Sequence, residues 1–298
     1  MYAIETHDLV KDFNGLRAVD GLSFAVERGE IFGLLGPNGA GKTTTIRMLM
    51  DIFKPDTGEI QVLGGAVDTH TKSRIGYLPE ERGLYPRLRV VQCLTYLARL
   101  KGMGRREAKN RAEALLDEVG LIEWRRRRVK ELSKGMQQKV QFIATIMHDP
   151  DLLILDEPFQ GLDPINADLL KEMIRELHQA GKTIILSTHM MDQVEQMCDR
   201  ILLINKGGAV LYGQLAEIKS RYAQHAVLLR CADPPEDLEG VLRIEKKGAN
   251  YLAFLRSETS PQDVLRQIVA RKATITRFEV ATPTLEEIFI SSVKEGAR

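Results

Sequence analysis

Hydrophobic and polar positions alternate in short stretches over residues 1–30, as in AIETHDLV and LSFAVERGE. Successive side chains of a strand point to opposite faces, so this alternation predicts antiparallel strands. The pattern changes at EIFGLLG, residues 30–36, where a continuous apolar run leads into glycine. Further on, Ile46, Leu49, Met50 and Phe53 recur at helical spacing. The sequence therefore predicts a buried strand, a glycine-rich turn and a helix, in that order.

Two later apolar runs end in polar residues of chemical interest. DLLILDEP, residues 151–158, ends in Asp156 and Glu157, and KTIILSTH, residues 182–189, ends in His189. Because ligands of open parallel sheets bind at the carboxyl ends of the strands, these side chains are expected at one edge of one sheet.

The character of the chain changes after about residue 220. HAVLLRC, VLRIEKKG, YLAFLR and ATITRFEV predict strands, SPQDVLRQIVA predicts a helix, and DPPEDLEG at 233–240 predicts a loop. A last helix is predicted at TLEEIF, where Thr284 and Glu287 have capping-box spacing. The chain is thus expected to form two α/β domains, 1–220 and a small accessory domain at 221–298.

Composition narrows the classes of function. With 44% hydrophobic residues, 28% charged residues and a net charge of +1, the 298-residue chain has no general attraction to nucleic acid, and none is expected as a partner. Its 3 cysteines lack paired or metal-type spacing, which favours a reducing, cytosolic compartment over a disulfide framework or a zinc site. No apolar run approaches the ~20 residues that span a bilayer, so work at a membrane requires another chain.

The segment GPNGAGKTT, residues 36–44, has the spacing of a phosphate-binding loop. Its glycines allow backbone N–H groups to surround an anion, Lys42 can reach the terminal phosphates, and the Thr43 hydroxyl can ligate magnesium. A plain glycine-rich turn is the alternative, but the flanking strand and helix favour the loop. The candidate nucleotide ligands are Gly36, Pro37, Asn38, Gly39, Ala40, Gly41, Lys42, Thr43 and Thr44.

Carboxylates at the end of a second strand complete a nucleotide-hydrolysing pattern. Asp156 is placed to hold the magnesium shell together with Thr43, and Glu157 to polarise an attacking water. Such a pair is often only a strand end that meets solvent, but the phosphate loop makes catalysis the better interpretation. Lys42, Glu157 and His189 are the candidate catalytic residues.

A second anion site is predicted about ninety residues after the first. LSKGMQQKV, residues 132–140, is a loop that turns into a helix, and its unpaired N–H groups attract an anion. Ser133 and Gly135 are the candidate ligands. One chain thus carries two phosphate-binding segments.

Five segments in this order resemble the nucleotide-binding subunit of an ABC transporter: GPNGAGKTT, IGYLPEERGLYPRL, LSKGMQQKV, LLILDEPFQGLD and STH. The resemblance extends over about residues 2–220. It implies a P-loop NTPase fold with a mixed sheet core, an antiparallel β subdomain and a helical subdomain at about 84–148, followed by the small C-terminal α/β domain. LPEERGLYP and the tail ATPTLEEIF are similar to the ABC-2 type exporter branch that contains sodium-extrusion ATPases.

The resemblance explains why one chain has two phosphate-binding segments. In this family two subunits pair head to tail, so Ser133 and Gly135 would meet the γ-phosphate of ATP held with Mg²⁺ by the opposite chain. Asp163 matches a residue that crosses this interface, and Phe13 matches the aromatic residue that stacks on adenine. The implied partners are a second copy of the chain and a separate transmembrane permease, at the cytoplasmic face of the cell membrane.

Two departures from the family pattern stand out. The usual Leu-Ser-Gly-Gly-Gln is replaced by a sequence with Lys134 and Met136, although the serine and one glycine remain. Glu80 stands where the family has a glutamine that senses magnesium and couples to the membrane partner, so its carboxylate would add negative charge near the γ-phosphate.

The resulting hypothesis is an ATPase subunit that powers export by ATP-driven pairing. A nucleotide-binding regulatory half of a heterodimer is one alternative, with Glu80 and Met136 as signs of decay and intact Glu157 and His189 against it. A soluble ABC ATPase that acts on the ribosome or DNA is another, but those usually carry two cassettes or a long coiled-coil insertion.

Overall fold

The chain folds as two compact units, Met1–Leu215 and Ala216–Arg298. The structure, a computed structural model, describes residues 1–81, 83–222, 225–231, 237–256, 258–271 and 273–295. The first part of the loop expected at 233–240, up to residue 236, lies outside the described residues.

The first unit contains an antiparallel sheet and a mainly parallel one. Its strands are β1 (Tyr2–Phe13), β2 (Leu16–Glu27), β3 (Ile31–Leu35), β4 (Thr57–Val62), β5 (Ile75–Leu78), β6 (Leu152–Asp156), β7 (Thr183–Thr188), β8 (Arg200–Asn205) and β9 (Gly208–Gln214).

The antiparallel sheet has the order β2-β1-β4. A two-residue loop joins β1 to β2, with Phe13 opposite Leu16. Its residues, Asn14 and Gly15, both have positive φ angles, which matches the right-handed twist of a hairpin. The alternating pattern of residues 1–30 therefore corresponds to a real hairpin.

The second sheet has the order β5-β6-β7-β3-β8-β9 and is parallel except for the antiparallel edge strand β9. Every residue of β3, β6 and β7 is buried, as expected for central strands covered on both faces. The mixed sheet confirms the predicted fold class. Its order places the carboxyl ends of β5, β6, β7 and β3 side by side.

Helices and short 3₁₀ turns connect these strands. The helices of the first unit are α1 (Lys42–Leu49), α2 (Thr69–Ser73), α3 (Val90–Leu100), α4 (Arg105–Glu118), α5 (Lys134–Ile146), α6 (Pro164–Gln179) and α7 (Met191–Met197), and α8 (Leu215–Tyr222) begins at its end. The 3₁₀ turns are Ile122–Trp124 and Val129–Glu131. Helical structure thus dominates the region around 84–148.

Helix α1 is shorter than the apolar spacing predicts, because it ends at Leu49 and leaves Phe53 outside. Asp51 adopts a left-handed conformation with φ 55°. Its N–H donates to Met48 O at 2.9 Å, and Ile52 N–H donates to Arg47 O at 2.8 Å. These two bonds form a Schellman cap, which satisfies the last carbonyls of the helix and turns the chain away.

One apolar core joins both sheets of the first unit. It contains residues of β1 and β2, the buried face of α1 and the inward side chains of the central strands. Phe24 of β2 stacks on Phe32 of β3 with ring centroids 5.8 Å apart. The phosphate loop between β3 and α1 is therefore flanked on both sides by residues of this core.

The second unit has one four-stranded antiparallel sheet in the order β11-β12-β10-β13. Its elements are β10 (Ala226–Cys231), β11 (Val241–Lys247), β12 (Asn250–Leu255), α9 (Pro261–Ala270), β13 (Ile275–Val280) and α10 (Leu285–Glu295). Val264 and Ile268 of α9 pack on one face of the sheet in a small core.

The predicted capping box at the last helix is present. Thr284 N–H donates to Glu287 Oε2 at 3.0 Å, and Glu287 N–H donates to Thr284 Oγ1 at 3.2 Å. Within the described parts of the chain, no helix is both long and apolar enough to cross a bilayer.

Candidate functional site

The loop between β3 and α1 requires glycine at two positions. Gly36 has φ 150°, and a Cβ there would lie 2.2 Å from Ile204 O. Gly41 has φ 111°, and a Cβ there would lie 2.4 Å from Ala18 O. Neither position tolerates a side chain without moving backbone, so the glycines of the motif fix the path of the loop.

The loop delivers the first turn of α1 to the sheet edge. The first N–H groups of a helix have no carbonyl partner within it, and the helix dipole adds positive potential there. Lys42 is the first residue of α1, followed by Thr43. In the loop before it, Pro37, Asn38 and Gly39 are exposed and Ala40 is buried, while Thr44 is half-buried in the helix. The arrangement suits an anionic ligand.

The Lys42 side chain folds back along the loop. Its Nζ donates to Gly36 O at 2.7 Å and to Pro37 O at 3.2 Å, and the residue is 6% exposed. Burial lowers the pKa of Lys42, and the carboxylates of Glu157, Asp156 and Glu80 oppose that shift. One ammonium group thus lies among three carboxylates, beside the helix start.

Asp156 at the end of β6 is joined to the phosphate loop and to the next strand. Thr43 Oγ1 donates to Asp156 Oδ2 at 3.1 Å. Ser187 Oγ of β7 donates to Asp156 Oδ1 at 2.7 Å. The register pairs Asp156 with Ser187 across the parallel strands. The Thr43 hydroxyl and the Asp156 carboxylate therefore lie together, as the sequence predicts.

Glu157 follows Asp156 with a left-handed backbone, φ 50°. Its Oε1 accepts from His189 N–H at 3.0 Å and contacts His189 Nδ1 at 2.8 Å, and its Oε2 accepts from Thr188 Oγ1 at 3.0 Å. Because a carboxylate only accepts, the Nδ1 atom carries the proton. Glu157 is 6% exposed and the His189 side chain 44%, so a buried carboxylate is held by a histidine that solvent can reach.

The surroundings of Asp156 raise the pKa of its carboxyl group. Burial is the main cause that raises its pKa, the hydroxyls of Ser187 and Thr43 lower it, and Glu80 and Glu157 raise it further. Burial also raises the pKa of Tyr77 to about 12, with Asp156 adding to the shift. Glu80 thus lies within electrostatic range of both Lys42 and Asp156. Extra positive charge at this site would relieve the repulsion between the carboxylates.

The second predicted anion site begins α5. Ser133 is the N-cap residue, and its Oγ accepts from Met136 N–H at 3.2 Å. A Cβ on Gly135 would lie 3.5 Å from Leu162 Cδ2, in ordinary contact. Among the described residues, no hydrogen bond or ion pair joins Ser133 or Gly135 to the phosphate loop of the same chain.

Two further candidates have ordinary local roles as well. The Phe13 side chain is 38% exposed and meets Phe53 edge-on, with ring centroids 5.5 Å apart. Asp163 caps α6 by accepting from Asn166 N–H at 3.0 Å. That backbone bond is the main cause that lowers the pKa of Asp163. The roles of both residues toward a nucleotide stay predictions.

Sequence patterns alone assign no role to Ser187 and Thr188, although they precede His189 directly. Their hydroxyls hold the carboxylates of Asp156, the last residue of β6, and of Glu157, the residue after it. The available signal was the pair of parallel strands that end at one edge, but the register that puts Ser187 opposite Asp156 is visible only in the structure.

Comparison with known proteins agrees with this geometry. Residues 19–160 match the family model of ABC transporters, and residues 213–293 match that of the C-terminal domain of DrrA1-3-like ATP-binding proteins. The ABC transporter ATP-binding protein YhaQ of Bacillus subtilis is 41% identical over 96% of both chains. The daunorubicin/doxorubicin resistance ATP-binding protein DrrA of Streptomyces peucetius is 34% identical over 97% of this chain and 92% of that protein.

A solved ATP-binding subunit of an ABC transporter has the same fold. It superposes with a TM-score of 0.69 at 32% identity and covers 74% of this chain and 93% of its own. The near full-length relatives, the matched domains and the ATPase fold confirm the predicted resemblance. The chain belongs to the ATP-binding proteins of ABC transporters, binds ATP and is an ATPase.

Proposed function

We propose that this chain binds Mg-ATP between its phosphate loop and a second subunit, hydrolyses it with Glu157 and His189, and thereby powers export through a separate permease. One observation carries the proposal. Thr43 of the phosphate loop, Asp156 of β6 and Ser187 of β7 form one hydrogen-bonded chain across the strand ends. The parts needed to bind and hydrolyse a nucleotide thus converge on one edge of the sheet.

The donor set at this edge fits magnesium. Mg²⁺ prefers oxygen ligands and is usually held by one or two carboxylates together with substrate phosphates. Asp156 and the Thr43 hydroxyl offer such oxygens 3.1 Å apart. Three carboxylates, those of Glu157, Asp156 and Glu80, surround the single ammonium group of Lys42. This excess of negative charge also favours the binding of a cation. Bound magnesium would neutralise charge on the phosphates, and Asp156 and Thr43 would hold its shell.

The other residues of the site have separate roles toward the phosphates, the attacking water and the adenine ring. Lys42 and the N–H groups at the start of α1 bind the phosphates. Glu157 orients the attacking water, since its carboxylate is fixed by the Thr188 hydroxyl and by the backbone and ring of His189. His189 keeps that carboxylate in place from the solvent side. Phe13 supports the adenine ring as an exposed aromatic face.

The second subunit completes the site. Ser133 and Gly135 lie at the start of α5, where the first N–H groups have no carbonyl partner within the helix, and among the described residues no hydrogen bond joins them to the phosphate loop of their own chain. Head-to-tail pairing brings it to the γ-phosphate held by the partner, with Asp163 beside the interface. A homodimer is the simplest arrangement because each chain carries both halves of the site.

The permease is the second partner. Tyr85 and Tyr96 form an exposed edge-on pair with centroids 5.4 Å apart, next to Pro86 and Leu88. They line an apolar cavity of about 530 Å³. An apolar recess of this size on the surface suits a protruding segment of a protein partner. The chain would thereby reside at the cytoplasmic face of the cell membrane, attached through the permease.

The relatives favour a role in export. DrrA is named a daunorubicin/doxorubicin resistance ATP-binding protein, and the family model over residues 19–160 is that of ABC transporters. These findings favour a transporter subunit over an ATPase that acts on the ribosome or DNA. Selectivity for the exported compound is assigned to the permease.

The test is the rate of Mg-ATP hydrolysis by the purified chain, measured against protein concentration. We expect the rate per chain to rise with concentration and Glu157→Gln to reduce it at least about hundredfold, because water is no longer oriented by a carboxylate. Glu157→Gln should still bind Mg-ATP. Glu172→Gln changes an exposed glutamate paired with Arg175 and serves as the control. Undiminished turnover in Glu157→Gln would refute the assigned role.

A further inference from the structure

A buried lysine connects the two segments that are proposed to face the partner subunit. Lys139 lies on α5, the helix that Ser133 begins, and is 8% exposed. Its Nζ donates to Val119 O at 2.8 Å and to Asn166 Oδ1 at 2.9 Å. Val119 is the C-cap residue of α4, so the ammonium also lies at the negative end of that helix.

Asn166 links the Lys139 ammonium to the Asp163 carboxylate. Its Nδ2 donates to Asp163 Oδ2 at 2.5 Å, and its N–H donates to Asp163 Oδ1 at 3.0 Å. The amide of Asn166 therefore turns its oxygen to the Lys139 ammonium and its nitrogen to the Asp163 carboxylate. An amide can satisfy both neighbours at once, because it carries an acceptor and a donor.

One other hydrogen bond joins α5 to the loop before α6. Gln138 Nε2 donates to the carbonyl oxygen of Pro158, the residue after Glu157, at 2.9 Å. The start of α5 is thus held to this loop by Gln138, and Lys139 links it through Asn166 to the Asp163 carboxylate.

We propose that Lys139 and Asn166 are positioning residues that fix the Asp163 carboxylate relative to Ser133, so that both meet the partner subunit in one geometry. This inference rests on the proposed head-to-tail pairing. Among the described residues, the hydrogen-bond partners of Lys139 are Val119 O and Asn166 Oδ1, and neither belongs to the phosphate loop. Its loss should weaken pairing in the presence of ATP and leave nucleotide binding by the single subunit unchanged.

The experiment measures two quantities for each variant. One is the affinity of the single subunit for Mg-ATP, measured with a fluorescent ATP analogue at low protein concentration. The other is the protein concentration that gives half-maximal ATPase rate. For Lys139→Met and Asn166→Ala we expect this concentration to rise about tenfold, with the affinity of the single subunit unchanged, because one buried polar contact is lost.

Conservative and control variants separate positioning from general stability. Lys139→Arg retains donors for both partners and should stay near the wild type in both measurements. Lys101→Met removes another lysine that bonds two backbone carbonyls, Lys72 O at 2.6 Å and Ile75 O at 2.9 Å, without contact to Asp163. It should lower the melting temperature and leave the half-maximal concentration unchanged.

Asn166 is only half-buried, so we expect Asn166→Ala to fold. This variant tests the positioning role if Lys139→Met fails to fold. A half-maximal concentration for folded Asn166→Ala equal to that of the wild type would overturn the positioning role alone. A wild-type rate per chain that does not change with concentration would overturn the homodimer as well, and with it this inference. The two failures are therefore distinguishable.

Discussion

At the scale of single residues, the site depends on hydroxyl groups as much as on its acids. Asp156 is fully buried, and its two oxygens accept from Ser187 and Thr43. A buried carboxylate without such donors is costly, and a hydrogen bond to a charged group contributes about 1.5–3 kcal/mol. Ser187 therefore opposes the rise that burial causes in the pKa of Asp156 and holds its carboxylate beside Thr43.

Ser187→Ala tests this dependence. Without the hydroxyl, the pKa of Asp156 rises further and its carboxylate is less firmly held, so magnesium binds less well. We expect the Mg²⁺ concentration for half-maximal ATPase rate to rise about tenfold, which corresponds to about 1.4 kcal/mol. The measurement is a magnesium titration of the ATPase rate at saturating ATP.

Ser23→Ala is the matched control for that titration. Ser23 Oγ donates to Asp8 Oδ1 at 2.9 Å in an exposed position. The Ser23–Asp8 pair therefore has the same two groups as the Ser187–Asp156 pair, a serine hydroxyl and an aspartate carboxylate, but lies outside the site. A shift in magnesium demand of equal size in both variants would contradict the specific role of Ser187.

A second residue-scale prediction concerns the path of the phosphate loop. Gly41→Ala places a Cβ 2.4 Å from Ala18 O, whereas Gly39→Ala, at φ 77°, meets nothing within 4 Å. Both variants carry the left-handed strain of about 1–2 kcal/mol. Only Gly41→Ala must also move backbone. We expect its melting temperature without nucleotide to fall clearly below that of Gly39→Ala, and similar values would contradict the steric argument.

At the scale of elements, the junction after α5 contains a histidine held in its neutral form. His148 Nε2 donates to Ile75 O at 3.2 Å, and Lys101 donates to the same carbonyl. Burial lowers the pKa of His148 to about 4, with the charge of Lys101 as the next cause; Asp149 opposes the shift and Arg111 adds to it. Protonation there would place two cations beside each other.

The sign of the resulting pH dependence follows from linkage. The unfolded chain takes up a proton on this histidine near pH 6.5, whereas the folded chain does so only near pH 4. Stability therefore falls as the pH drops through this window, by up to about 3 kcal/mol. His148→Gln should flatten that part of the profile relative to its own value at pH 7. Urea unfolding of the first unit at pH 7 and pH 4.5 measures it, and parallel profiles would contradict the assignment.

Elements with strong local signals were predictable from the sequence, and contacts between elements were not. The strand, loop and helix around Lys42 follow from a short motif and a buried apolar run. The end of α1 was missed because the Schellman cap uses Asp51 where glycine is the usual signal. β4 was missed because most of its residues are exposed, and its apolar face is limited to Ile60 and Val62. The role of Ser187 depends on strand register, which no local pattern encodes.

At the scale of the whole molecule, the two units have separate apolar cores. The described core of the first unit lies between Ile4 and Ile204, and that of the second between Val227 and Ile268. All candidate nucleotide ligands belong to the first unit. We therefore expect the first unit to fold and to bind ATP by itself, and propose that the second acts on pairing or turnover.

A chain that ends at residue 222 tests this division of work. Because the core and the phosphate loop are retained, we expect its affinity for Mg-ATP to stay within about twofold of the full chain, a difference below about 0.4 kcal/mol. We propose that the second unit steadies the dimer, so the protein concentration for half-maximal ATPase rate should rise in the shortened chain. The shortened chain with Glu157→Gln gives the background ATPase rate. Equal concentration profiles and equal maximal rates for both chains would refute a role of residues 223–298 in pairing or in the ATPase cycle.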